Sequence, residues 1–277
     1  MPLLTLGYSP CPNDTFIFYP LVHGLIDCQG FSFSERLDDV ETLNRLALKG
    51  ELDITKVSCH LLGFIRHDYC LLRSGGALGR GCGPLVVSRR CSQMEELRGK
   101  RIAVPGLYTT AYLLLRLFDP ELDNIVFFPF HEIMGAVANG EADAGVIIHE
   151  SRFTFPDYGL KKLLDLGDWW EDETGHPIPL GGIVAKRSLG EETIATLERS
   201  LKSSVKYALA HPGEANAYIR AHSQEISDEV CAAHIGLYVN NFSIDLGDEG
   251  KSAVTALISR AEAAGLVPIS TEPVFFS

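Results

Sequence analysis

Basic residues are scarce in this chain: 24 Lys and Arg stand against 36 Asp and Glu, a formal net charge of -12. Phosphate backbones are held by clustered Lys and Arg, so non-specific nucleic-acid binding is excluded as a function class. An anionic small ligand is not excluded, because a few N–H groups and one lysine reverse the field inside a cleft. No apolar run approaches the length needed to span a bilayer, so no membrane partner is expected. The start, Met1-Pro2-Leu3-Leu4-Thr5, shows neither the basic leader nor the apolar stretch of a secretion signal. The seven cysteines are scattered and form no CxxC pair. These absences together lead us to expect a cytoplasmic protein with reduced thiols. Also missing are a Gly-Lys-Ser/Thr phosphate loop, a GxGxxG before a helix and a Gly-x-Ser-x-Gly elbow. The spacing of His60, His67, Cys59 and Cys70 fits no zinc site, so no metal is expected.

What is present is a repeat. Gly140-Glu141-Ala142-Asp143 precedes an apolar run, Ala144 to Ile148, that ends in His149. Ninety positions earlier, Gly50-Glu51-Leu52-Asp53 precedes Ile54 to Ser58. Both copies follow a stretch with apolar residues at helical spacing, and both read as buried strands. The pattern predicts strands over 3–8, 31–37, 53–57, 101–104 and 125–130, with helices over 15–22, 39–49, 59–65, 110–118 and 132–138. Gly182 to Ala185 reads as a strand returning to the first unit. Glu191 to Ala264 reads as helical, broken at Pro212 and at 223–228. The expected architecture is α/β and two-lobed, with residues 1–88 plus 183–277 as lobe 1, 89–182 as lobe 2, and the ligand cleft between them.

Open α/β sheets bind ligands beyond the carboxyl ends of their strands, where helix N-termini offer unpaired N–H groups. Four places fit. Asn13 and Asp14, in Ser9-Pro10-Cys11-Pro12-Asn13-Asp14-Thr15, either meet a ligand or simply cap a helix. Thr110 and Ala111 open another helix, with a hydroxyl and N–H groups suited to a carboxylate or, equally, to a cap. Lys56 and Ser58 end the first repeat strand and would face that pocket from the other lobe. His149 sits where a buried run turns polar, as a general base or as a satisfied structural histidine, with Glu150 either orienting it or turned away from it by strand alternation. The glycine-rich stretch Gly75 to Gly83 reads as a hairpin-like loop at the lobe junction, and Trp169-Trp170 as a packed corner.

The chain resembles the 1,4-dihydroxy-6-naphthoate synthase family of the futalosine route to menaquinone. The resemblance covers essentially the full length. It rests on Ser9 to Tyr19, on Leu72-Arg73-Ser74-Gly75-Gly76-Ala77-Leu78-Gly79-Arg80-Gly81, on Thr109-Thr110-Ala111, and on Ile147-Ile148-His149-Glu150-Ser151-Arg152-Phe153-Thr154. It implies a fold like type II periplasmic binding proteins and a cytoplasmic lyase without cofactor. The implied reaction cleaves cyclic dehypoxanthinylfutalosine, a small carboxylate, to 1,4-dihydroxy-6-naphthoate and dihydroxyacetone. The implied proton acceptor is His149, and the implied substrate contacts are Lys56, Val57, Ser58, Thr110 and Ala111. Cys59 and Cys82 stand where the family tends to small or apolar residues, which puts the packing behind the site in question. Two alternatives share the fold: a non-catalytic solute-binding protein for small carboxylates, and the related chorismate dehydratase, whose motifs match less well.

Overall fold

The computed structural model describes residues 3–223 and 227–276. Its strands form two sheets. In the first, β2 (Ser32–Leu37), β1 (Leu3–Tyr8), β3 (Ile54–Ser58), β11 (Ile178–Lys186) and β4 (Tyr69–Leu71) lie side by side, and β5 (Ala77–Gly79) pairs with the N-terminal half of β11. The second runs β10 (Lys161–Asp165), β6 (Leu85–Ser88), β9 (Ala144–Ile147), β7 (Ile102–Val104), β8 (Ile125–Phe127). β1 is parallel to β2 and β3, and β7 is parallel to β8 and β9. Each sheet therefore contains the same unit, three parallel strands with the first in the middle.

The repeated Gly-Glu-x-Asp now has a physical meaning. Gly50 and Gly140 follow helices and take φ of +66° and +81°, a left-handed stop that favours glycine. The Asp of each copy then reaches the start of the central strand. Asp53 Oδ2 accepts from the Thr5 N–H at 3.0 Å, and Asp143 Oδ2 accepts from the Arg101 N–H at 3.0 Å. Between them, Leu52 and Ala142 are buried. The motif ends a helix and pins the register of a parallel pair, once per lobe.

Burial explains the helices. The helix Pro12–Val22 is apolar nearly all round and is covered on both sides, in part by Glu191–Ala210, whose Ser204 hydroxyl donates to the Ile17 carbonyl at 2.6 Å. β3 is buried at every position, as a strand covered on both faces must be. Trp170 is fully buried with its indole N–H on the Pro177 carbonyl, and Trp169 meets Phe118 edge-on, so this pair is a packed corner. No helix among the described residues is long and apolar enough to cross a membrane.

Several expected boundaries move. Leu85–Ser88, placed in lobe 1, belongs to the second sheet, paired with β9 through Val86 and Val146. Residues 178–182, placed in lobe 2, belong to β11 of the first. The chain thus crosses between sheets near 80–84 and 175–177, and a uniformly apolar strand gives no sign of which sheet it joins. The first helix begins at Pro12 rather than Thr15, because proline at the first helical position has its φ already set. β8 stops at Phe127, before Pro129. The helical break at 223–228 falls partly on 224–226, which lie outside the described residues.

At the crossing, Gly83 and Gly167 pass so closely that a Cβ on Gly83 would stand 2.3 Å from the Gly167 backbone. Backbone cannot swing aside as a side chain does. Gly83→Ala is expected to cost roughly 1–3 kcal/mol by forced displacement, read as a lower urea midpoint with an unchanged slope.

Candidate active site

The carboxyl ends of β1, β3, β7 and β9 converge on one cavity between the sheets. Its polar lining includes Ser9, Asn13, Asp14, Lys56, Ser58 and His149, and its apolar wall includes Val40, Ala77, Pro84, Ile148 and Leu180. Of the residues expected from sequence, Asn13, Asp14, Lys56, Ser58, Thr110, Ala111 and His149 all line it. Val57 does not. Strand alternation turns its side chain into the core while Lys56 and Ser58 face the cavity.

Asn13 and Asp14 are not caps. The N-cap position is Cys11, which makes no capping bond. Asp14 instead organises a buried polar chain. Its Oδ1 accepts from Lys56 Nζ at 2.6 Å and from Asn13 Nδ2 at 2.9 Å, and its Oδ2 accepts from the Ser9 N–H and hydroxyl. Lys56 is only 6% exposed and Asp14 only 1%, so this is an ion pair shielded from water. Because the Asn13 amide nitrogen is committed to Asp14, its Oδ1 faces Nε2 of His234 at 3.0 Å.

The opposite wall is a helix start. Thr109, not Thr110, is the N-cap of Thr110–Phe118, accepting from the Tyr112 N–H. The Thr110 hydroxyl is already spent: it donates to the Leu180 carbonyl at 2.6 Å and accepts from the His60 N–H at 3.3 Å. The expectation that this hydroxyl binds a carboxylate is corrected accordingly. The backbone N–H groups of Thr110 and Ala111 have no hydrogen-bond partner among the described residues and remain available. Ser58 faces them as the N-cap of Cys59–Ile65. Its N–H donates to Asn44 Oδ1 and its oxygen accepts from Asn44 Nδ2, which leaves the hydroxyl hydrogen free.

His149 follows β9 by two residues and has φ of +58°, left-handed backbone that a non-glycine residue rarely adopts. Such strain costs about 1–2 kcal/mol and persists only where the surroundings enforce it. Phe130 meets the ring edge-on at 5.0 Å, and the His234 ring lies parallel to it at 6.0 Å. Donor atoms of Cys11, His149 and Glu150 lie within 4.8 Å of one another. Burial, opposed by the nearby Glu150 charge, holds the His149 imidazole below the ordinary value of 6.5, so it is neutral near pH 7. Burial keeps the Cys11 thiol protonated, and pushes Cys59 and Cys82 up to about 12, so both atypical cysteines stay protonated, Cys59 in the core and Cys82 at the cavity wall.

His234 was not expected from sequence. It lies on the helix Asp228–Tyr238 and is completely buried. Its only local sign was its place with Cys231 and Tyr238 on the buried side of that helix, a position more often apolar.

Comparison with known proteins gives a consistent result. Residues 4–263 match a family described as menaquinone biosynthesis. A protein of Thermus thermophilus named 1,4-dihydroxy-6-naphthoate synthase is 54% identical, covering 99% of this chain and 100% of its own. One of the same name from Streptomyces coelicolor is 47% identical over 96% and 95%. A solved structure from Archaeoglobus fulgidus superposes with a TM-score of 0.89 at 36% identity, over 96% of this chain and 98% of that one. The alkanesulfonate-binding protein of Xanthomonas axonopodis superposes at 0.71 with 14% identity, over 96% and 94%, and shows the fold alone. The fold is that of periplasmic binding proteins, and the chain belongs to the menaquinone-biosynthesis family, among enzymes built on that frame.

Proposed function

We propose that the chain is a carbon–carbon lyase that cleaves cyclic dehypoxanthinylfutalosine to 1,4-dihydroxy-6-naphthoate and dihydroxyacetone, with His149 as general base and no cofactor. The observation that carries the reading is His149 itself, a neutral imidazole held in strained backbone at the rim of a cavity with one polar and one apolar wall. The substrate carboxylate sits between the Ser58 hydroxyl and the N–H groups of Thr110 and Ala111, where the helix start adds partial positive charge. Its fused ring body lies along Val40, Ala77, Ile148 and Leu180. His149 removes a proton from a hydroxyl. The released O–H electrons form a carbonyl as the neighbouring carbon–carbon bond breaks, and that bond's electrons pass into the ring system. Enclosure by both lobes keeps water from the reacting atoms.

The deciding assay incubates the purified protein with cyclic dehypoxanthinylfutalosine and measures release of dihydroxynaphthoate. Binding without product would reduce the protein to a solute-binding role. Ser58→Ala is expected to raise KM about 10–100-fold with little change in kcat, the loss of one hydrogen bond to a charged group. An unchanged KM would move the carboxylate elsewhere.

A further inference from the structure

Two buried acceptor atoms face each other behind His149. The chain Lys56, Asp14, Asn13 fixes the Asn13 oxygen toward His234, so Nε2 of His234 carries the hydrogen and Nδ1 is left as a lone pair. That lone pair points at Glu150 Oε2, 3.6 Å away. Neither atom is reached by solvent and neither has a hydrogen-bond partner among the described residues. At 3.6 Å they are too far apart to be bonded, and as two acceptors they have no hydrogen to share. Unpaired buried acceptors are costly, and neither water nor substrate has access to them. A proton alone fits.

We propose that Glu150 and His234 form a proton store for His149, a reading that rests on His149 being the base of the lyase reaction above. After His149 has taken the substrate's hydroxyl proton, the His149 and Glu150 side chains, which have polar atoms within 4.8 Å of each other, close to hydrogen-bond distance. The His149 N–H bond breaks, an O–H bond forms at Glu150 Oε2, and the N–H electron pair returns to His149 as a lone pair. The new O–H donates to His234 Nδ1, turning an acceptor–acceptor clash into a hydrogen bond and drawing the pair together. When the carbon–carbon bond has broken, the proton returns by the same route to the ring system, so the cycle consumes none. The proton rests on Glu150 because the imidazole of His234, deeply buried and facing His149 and Lys56, resists charge. The other ionisable groups around the pair are Cys11, Asp14, Cys82, Arg152 and Tyr238. Glu150 and His234 are positioning residues: His234 also lines the cavity, but both are proposed to act on the reaction through His149.

The test uses the full chain with 15N-labelled histidine, free of substrate, together with Glu150→Gln and His234→Gln, the latter keeping a donor toward Asn13. In the wild type the His234 Nδ1 resonance is expected to shift from a free lone pair to a hydrogen-bonded one as the pH is lowered, and in Glu150→Gln to ignore pH. Both variants should lose kcat about tenfold or more, keep KM within about twofold, and show an altered acid limb of the pH profile. A merely structural pair would lower the melting temperature and leave that limb in place. A wild-type Nδ1 signal insensitive to pH overturns the store, as does wild-type kcat in both variants. Lack of turnover of cyclic dehypoxanthinylfutalosine by the wild type sinks the lyase reading instead, and the resonance still decides the store.

Discussion

His149→Ala is expected to lower turnover of cyclic dehypoxanthinylfutalosine by about 10²–10⁴-fold, the usual worth of a positioned general base, while ligand affinity stays within a few fold. The expected split follows from the proposed pose, in which Ser58 and the Thr110 helix start hold the carboxylate and none of those contacts passes through the imidazole. The wild-type pH profile carries the same assignment. Burial lowers the His149 pKa below 6.5, so the base is already neutral at pH 7 and the rate should be flat there. Protonation removes the lone pair, so the rate should fall only on the acid side, about tenfold per pH unit below that pKa. A profile that instead rises through pH 7 to 8 would place the base elsewhere. His149→Asn is the better-controlled variant, because asparagine tolerates left-handed backbone and the loop keeps its shape.

The second large effect is on stability. Lys56→Met should cost about 3–5 kcal/mol, because it strands the Asp14 carboxylate in a site almost without solvent. The consequence reaches beyond the pair. Asp14 also collects Ser9 and Asn13, and Asn13 sets the tautomer of His234, so loss of the lysine loosens the polar wall and the His234 ring beside His149. Denaturant melts should show the loss, and residual turnover at low temperature should be well below wild type. A melt within 1 kcal/mol of wild type would mean that water screens the pair.

Sequence patterns made the two lobes legible because the repeated helix stop and strand lock are local chemistry, written in four consecutive residues. The strand ends carrying Lys56, Ser58 and His149 and the helix start at Thr110 are equally visible, since each follows a buried strand. What escaped notice was what depends on distance along the chain. His234 meets Asn13 across 221 positions, and a histidine on a mostly buried helix face has no signature there. Sheet membership of Leu85–Ser88 escaped for a related reason, since every residue of the strand is buried and either sheet accepts it. The Thr110 hydroxyl looked like a ligand contact because sequence shows which donors exist, and only the fold shows which are already used.

The left-handed turn at His149 also sets fold and chemistry against each other at one position. Glycine or asparagine would occupy φ of +58° with less strain than histidine. Selection for thermal robustness alone would therefore drift away from the residue proposed as the base. Laboratory evolution of a hardier variant needs a turnover screen at every round, and under the proposed role a homologue with glycine at this position is expected to bind without turnover.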